Sequence, residues 1–449
     1  MMTGKKRVAV HRWTTLLALT AVLSGGAVAW AGPYSQAGND PTNPFDPPIA
    51  GFVGPNGDGD ATAPNYVNPE FLGWASGFVD YLPASLGNDL INPGADWAQP
   101  SRALGPVTAD QMDAVSLGEL YDPAAPPPPS WVPDPDWIGI DDPGEITLTF
   151  DLPIRNGVGA DLAVFENGFT NDVGGSFFAE LAYVDVSSDG VNFARFAGDS
   201  QTPGPVGSFG SIDPTNVYNL AGKHSNGYTQ SWGTPFDLGE LADHALVVGG
   251  LLDLTAVQFV RIVDIPGNGA FADDDGDPIY DAWATLGSGG FDLQAVGVLN
   301  EVPDFDGDGF VNADDIDLLS AAIRAASTDL RYDLNNDGVV DGDDLTTMVE
   351  TCVETTVGIG TAPGDFNLDG LIDGTDLAIM KTHFGDLGAG WADGNANFDE
   401  LIDGTDLALL KTYFGFDATA GGTVPEPATL GLLAVGAAAA IARRHRRRK

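Results

Sequence analysis

Between Asp304 and Asp406 one acidic pattern recurs at a spacing that leaves few ways to fold. The first copy reads Asp304, Asp306, Asp308, Gly309, Asn312, Asp315. The second reads Asp333, Asn335, Asp337, Gly338, Asp341, Asp344, and the third Asp365, Asn367, Asp369, Gly370, Asp373, Asp376. Oxygen-bearing side chains at alternate positions, a glycine at the sixth and a carboxylate at the twelfth are what a hard cation of calcium's size requires. The acids neutralise its charge, the glycine allows a sharp turn, and the twelfth side chain comes back from the incoming helix. Phe310, Val339 and Leu371, at the seventh position, would each give a backbone carbonyl. The cofactor expected is therefore Ca2+. A fourth copy, Asn395, Asn397, Asp399, Asp403, Asp406, has Glu400 where the glycine belongs and an amide where the first carboxylate belongs. It is expected to bind more weakly, or to hold its shape without metal.

Each loop leads into a segment with apolar residues at helical spacing: Ile316, Leu319, Ile323; Leu345, Met348, Cys352; Leu377, Met380, Phe384; Leu407, Leu410, Phe414. We read these stripes as the cores of two-helix modules rather than as partner surfaces. The expected modules are residues 303–354 and 365–416, joined by a Thr/Gly/Pro linker, 355–364. Helices this short bury too little apolar surface to fold alone, so calcium binding and folding should be one event. Cys352 is the sole cysteine, so no disulfide can form within the chain and metal is left to do the stapling. Its place on an apolar stripe marks it as a small core residue.

On these loops and helices, Asp304 to Glu350 resembles a type I dockerin, and Gly364 to Gly415 resembles a second, more divergent one. The resemblance implies a cohesin-like or other surface protein as partner. Dockerins commonly present a Ser-Thr pair at loop positions ten and eleven. Here those positions are Ala313-Asp314, Gly342-Asp343, Gly374-Thr375 and Gly404-Thr405, which departs from the pattern of cellulosomal recognition and leaves calcium untouched.

Residues 32–302 have a different texture, rich in Gly, Pro and Asn, with short apolar runs and almost no helical period. The expected strands are Ile146 to Phe150, Leu162 to Phe165, Ala182 to Ser187, Phe193 to Phe196, Val257 to Ile265 and Ala295 to Leu299. Asp189-Gly190 marks a hairpin. The Pro-rich stretch from Asp122 to Pro143 is read as a stiff surface insertion. Ala182 to Phe196, followed by Phe259-Val260-Arg261-Ile262, resembles the central hairpin and a late strand of galactose-binding-like, discoidin-type jelly rolls. The fold class expected is thus mainly β: an extracellular jelly-roll-type β-sandwich followed by two small α-helical dockerin-like calcium modules.

No nucleophile elbow or histidine pair of metal-binding spacing is present. Glu166 and Glu180 could form an acid/base pair, but two glutamates among 64 acids are expected by chance. His224 and His244 read as loop or core residues. Asp273 to Asp281 could hold a further calcium or form a solvated turn. Trp74, Trp97, Trp232 and Trp283 read as core; Trp131 and Trp137, in the insertion, could stack on sugars.

At the start of the chain a basic stretch (Lys5, Lys6, Arg7, Arg12), an apolar run and Ala29-Trp30-Ala31 have the order of a signal peptide, residues 1–31. At its end, Val424-Pro425-Glu426-Pro427, the apolar Ala428 to Ala442 and a basic cluster resemble a PEP-CTERM sorting signal, residues 423–449, which implies processing by an exosortase-type enzyme. Ten of the nineteen Lys and Arg lie in these two segments, and the net charge of −45 excludes nucleic acid as a partner. The reading is a non-catalytic, calcium-binding protein of the cell surface, outer envelope or extracellular matrix, transiently anchored at its C-terminus, whose sandwich binds extracellular polysaccharide or another matrix component. A polysaccharide-degrading enzyme or its accessory subunit, and a structural surface-layer component, stay open as alternatives.

Overall fold

The computed structural model describes residues 32–38, 46–51, 67–84, 97–108, 110, 112–120, 142–170, 177–224, 226–227, 231–283, 285 and 289–420. The signal segment, most of the Pro-rich insertion with Trp131 and Trp137, and the sorting tail lie outside the described residues.

The strands are β1 (Ile49–Ala50), β2 (Gly73–Trp74), β3 (Gly77–Leu82), β4 (Val115–Ser116), β5 (Glu145–Ile154), β6 (Leu162–Glu166), β7 (Ala182–Ser187), β8 (Ala194–Arg195), β9 (Trp232–Phe236), β10 (Val257–Asp264) and β11 (Asp292–Val298), the longer of them, such as β5 and β10, rich in β-branched and aromatic residues. One antiparallel sheet runs β1-β9-β6-β11-β2, with β4 also pairing on β11; the other runs β8-β7-β10-β5-β3. Between them Ile146, Leu148 and Phe150 of β5 and Val260 and Ile262 of β10 share a core with Leu162 and Val164 of β6 and Val296 and Val298 of β11. The other face of β6 is covered too: Ala163 and Phe165 pack with Phe71, Ala295 and Leu299. β6 is therefore buried along its whole length, and its sequence, LAVFE, shows no alternation with polar residues before its last position.

The hairpin expected at Asp189-Gly190 joins β7 to β8. The Asp189 carboxylate accepts from the amides of Val191 and Asn192, and Gly190 takes φ +73°. On the same sheet Asp185 holds Arg195 and Arg261, at 2.7 and 2.8 Å.

Downstream lie α1 (Ala313–Arg324), α2 (Gly342–Thr351), α3 (Gly374–His383) and α4 (Gly404–Tyr413). The four loop-and-helix units share one hydrophobic cluster, from Val311 to Phe416. Residues 355–364, expected as a linker, are packed into it. Glu354–Thr355 pairs with Gly358–Ile359 in a small hairpin, Ala362 is buried in the shared core, and the Thr361 hydroxyl donates to Asp365 Oδ2 at 2.7 Å. Trp391 reinforces the join: it packs on Phe366, its indole N–H donates to the Asp365 carbonyl, and its main-chain N–H donates to Asp317 of α1 at 2.8 Å.

The sandwich is bonded to the second loop. Buried Arg155, just past β5, donates from Nε to the Glu301 carbonyl (3.0 Å) and from Nη2 to the Leu334 carbonyl (2.9 Å). Asn336 Nδ2 donates to Asn300 Oδ1 at 3.0 Å and to the Val158 carbonyl at 3.2 Å.

Candidate metal centres

The loops and the helix starts are built from the same residues. In each unit the ninth loop position is the N-cap (Asn312, Asp341, Asp373, Asp403), and the twelfth (Asp315, Asp344, Asp376, Asp406) is the third helical residue, closing a capping box. All four twelfth-position aspartates are fully buried. Each turns one oxygen back to the N-cap amide and the other to the amide after the first loop position; in loop one these are Asn312 N at 2.9 Å and Phe305 N at 2.7 Å. The equivalent bonds are Leu334 N, Phe366 N and Ala396 N, at 2.7 to 2.9 Å. Burial raises these four carboxyls above the ordinary aspartate range.

The first position acts across the loop. Asp304, Asp333 and Asp365 each accept from the amide of the sixth-position glycine, at 2.8, 2.8 and 2.9 Å. Gly309, Gly338 and Gly370 sit at φ +90°, +84° and +82°, the left-handed region the turn demands. Asp306, Asp308, Asn335, Asp337, Asn367 and Asp369 cap the amides two residues on, as in Asp308 to Phe310 N at 2.9 Å. Phe310, Val339 and Leu371 point their side chains outward. In loop one, carboxylate oxygens of Asp304, Asp306 and Asp315 lie within 4.8 Å of one another; among the described residues theirs is the group that meets this distance. Converging hard oxygens with a glycine turn fit calcium.

Loop four differs as its residues dictate. Glu400 is held at φ +69°, the same left-handed geometry but with a side chain. Asn395 turns its amide Nδ2 to the Ala389 carbonyl, and its Oδ1 accepts a long bond, 3.4 Å, from Asn397 N. Asp393, a nearby carboxylate able in principle to replace it, faces His383 Nε2 at 3.6 Å instead. Arg324 of α1 supports this loop from behind, pairing with Glu400 and donating to the Phe398 carbonyl at 2.9 Å.

The helical stripes are core in most places: Ile316, Leu319, Leu345, Met348, Cys352, Met380 and Leu410 are buried, and Ile323, Leu377 and Leu407 partly so. Phe384 and Phe414 break the expectation, at 53% and 48% exposed. Their helices end one residue earlier, and each occupies a C-cap with extended backbone that swings the ring outward. Cys352 is the C-cap of α2 and is buried in the module core as a free thiol.

In the sandwich, Glu166 and Glu180 are 0% and 3% exposed. His224 is buried, and His244 caps a helical turn through Nδ1. Trp97 and Trp283 are buried, Trp74 and Trp232 half-buried. In the Asp273 turn, Asp273 accepts from the amides of Ser200, Asp275 and Asp277, and Asp274 from that of Gly198. Its acids thus cap main chain, while Asp281 turns away to Leu181 N at 2.7 Å. No spacing along the chain points to the Arg155 and Asn336 junction, since each partner is far away in the sequence.

The model of the dockerin type I domain matches residues 331–385 and again 363–415, and the PEP-CTERM protein-sorting motif matches residues 423–448. No curated protein matches the chain. The first loop lies upstream of both dockerin matches, and the overlapping matches run through the segment expected as a linker, as the shared core does. Dockerin modules bind calcium, and the sorting motif implies export with transient anchoring at the C-terminus; the chain is an extracellular, exosortase-sorted protein. Among the described residues no helix is long and apolar enough to cross a membrane.

Proposed function

We propose that this is a non-catalytic surface or matrix protein whose sandwich binds a sugar unit of an extracellular polysaccharide, and whose calcium modules form a rigid base and docking point for a cohesin-like or other surface protein. One observation supports the sugar reading above the rest. A cavity of about 270 Å³ opens beside Tyr218 and is lined also by Asn219, Thr234, Asp237 and Glu240. Tyr34 stacks on Tyr218, centroids 5.1 Å apart. Tyr218 donates to Glu240 Oε1 at 2.7 Å, and burial together with that carboxylate raises its phenol. Aromatic rings beside carboxylate and amide oxygens suit a hydroxyl-rich ring, which stacks by its C–H face and donates from its edge.

Glu166 and Glu180 support the non-catalytic part: both carboxyls are buried. The base reading rests on Arg155 and Asn336, which tie the second calcium loop to the sandwich. The test is a glycan array together with chromogenic glycosides, run with the parent chain and with Tyr218→Ala. Binding that Tyr218→Ala abolishes, with no turnover, supports the reading. Hydrolysis would replace it with the enzyme, and binding to nothing would favour the structural component.

A further inference from the structure

His224 lines the cavity beside Tyr218 and is fully buried, yet neither of its ring nitrogens has a hydrogen-bond partner. Burial, and then the Lys223 cation next to it, lower its pKa well below the ordinary histidine value, so the ring is neutral, with one N–H to donate and one lone pair to receive. The main chain of Gln36 and Ala37 favours the charged form, but more weakly, and no hydrogen bond of good geometry is made. A buried imidazole in that condition, at the wall of a cavity, is matched by a ligand hydroxyl, which both donates and accepts.

The charge around the cavity is one-sided. Lys223 is itself fully buried and paired with Asp46, whose other oxygen accepts from Ser35 N at 2.8 Å. That pair is neutral as a whole. Asp237 and Glu240 are different: among the described residues neither forms an ion pair. Both act on the Tyr218 phenol, so the two charges lie by the same ring. Asp237 turns Oδ1 to Gly239 N at 2.7 Å, which leaves Oδ2. Glu240 accepts from the Tyr218 hydroxyl at 2.7 Å and from Asn219 Nδ2 at 2.6 Å, one bond on each oxygen, and a lone pair remains on each. Asn219, at φ +55°, is fixed in turn by donating to the Ala197 carbonyl at 2.9 Å.

Two carboxylates without a third are too few for a calcium ion, and among the described residues they belong to no group of acids whose oxygens converge. They suit an ammonium, whose three N–H groups need acceptors in different directions. A uronic or sulfated sugar would meet the same charges as repulsion, and the nitrogen of an N-acetylated sugar carries no charge for them to attract.

On the reading that this cavity takes a sugar, we propose that it selects an amino sugar whose amine is free and protonated, with Asp237 and Glu240 as the counter-charges. The tyrosine pair holds the face of the sugar ring, and His224 takes a hydroxyl at its edge.

The test uses the full chain in calcium, a glycan array and calorimetry. Array hits should carry a free amine. Hits confined to neutral or acidic glycans overturn the amine and leave the sugar reading standing, whereas an array without hits overturns both. In calorimetry at about pH 6, below the range of an ordinary amine, an oligomer of glucosamine should bind roughly tenfold tighter than its N-acetylated counterpart. Because the net charge of −45 attracts any cation, oligolysine is the third probe; if it binds as tightly as the glucosamine oligomer, charge alone is at work and the proposal falls. Asp237→Asn/Glu240→Gln should bring the two sugar oligomers to one affinity, and a preference that survives the double variant overturns the proposal. Should that variant fail to fold, salt decides on the unaltered chain. Raised salt should weaken the glucosamine oligomer alone and close the roughly tenfold gap; a gap that salt does not touch overturns the proposal.

Discussion

In the calcium loops the carboxylates at the first and twelfth positions meet their main-chain partners within twelve residues of chain, on a loop that also starts a helix. In the sandwich the buried acids Glu119, Glu166, Glu180, Asp264, Asp281 and Asp292 come from distant positions and are carried inside by strands whose own core does not depend on them. The first arrangement is expected to need an ion, because aligned aspartates repel one another without a cation. The second lies beside a core of Ile, Val, Leu and Phe built without these acids. The same side chain thus shapes loops suited to a cation in one region and is buried against main-chain amides in the other.

The largest expected effect follows directly. Chelator should unfold residues 303–416 while the sandwich stays intact, read as loss of helical circular dichroism and as proteolytic cleavage confined to the modules. Cleavage throughout the chain would erase the distinction between the regions, and so would an unchanged spectrum.

Acidity sharpens it next. Burial raises Asp161 to about 7 and Asp264 to about 8, from an ordinary 3.8. A carboxyl whose folded pKa is raised favours the fold fully below the unfolded value and loses that contribution as pH climbs through the folded value. In chelator the sandwich should therefore melt lower at pH 8 than at pH 5, by about 5 °C or more. Asp161 is held by Gly157 N, Leu238 N and Asn300, so its part should be the same with calcium as without. A melting temperature that rises from pH 5 to pH 8 in chelator would show that these groups are not buried as described.

A smaller effect belongs to the seam. Arg155→Ala leaves the carbonyls of Glu301 and Leu334 without their donor and should cost about 2 kcal/mol. The loss should fall on the calcium-bound modules, whose second loop it anchors, and calorimetry in calcium should show their transition moving while that of the sandwich holds. Equal shifts of both would mean that the two regions unfold as one.

The same contrast explains how much could be read in advance. Three loops were legible residue by residue because a cation's needs are local: alternate oxygens, one glycine, one returning carboxylate. The strand Ala182–Ser187 was legible to its ends, since apolar residues and a hairpin signal bound it. The acid cluster was not, because no spacing in the sequence links Glu119 to Asp292 and only the sheet order does. Glu166 and Glu180 did stand out, but as a pair, without the four acids around them. The segment 355–364 looked like a linker because Thr, Gly and Pro usually mark one. Its Thr361 and Ala362 fill a core instead, and small residues in a core look the same in sequence as small residues in a linker.

The smallest effect lies in loop four, where local rules were broken and the structure shows at what cost. Glu400 occupies φ +69°, a conformation that a side chain disfavours by about 1 kcal/mol relative to glycine. Its compensation is the contact with Arg324 at 3.3 Å, a partly exposed pair of the kind worth about 0–1 kcal/mol. Arg324 keeps its bond to the Phe398 carbonyl whatever stands at position 400. Glu400→Gly should therefore stabilise the module, by about 0.5 kcal/mol, the strain relieved less the pair lost. Adding Asn395→Asp returns the carboxylate that, in the other three loops, accepts from the sixth-position amide. Calcium titration of the full chain should then show its weakest step tightened several-fold and the others unmoved. If the double variant leaves every step where it was, loop four is held by Arg324 rather than by an ion, and three loops, not four, belong to the first kind of carboxylate in this molecule.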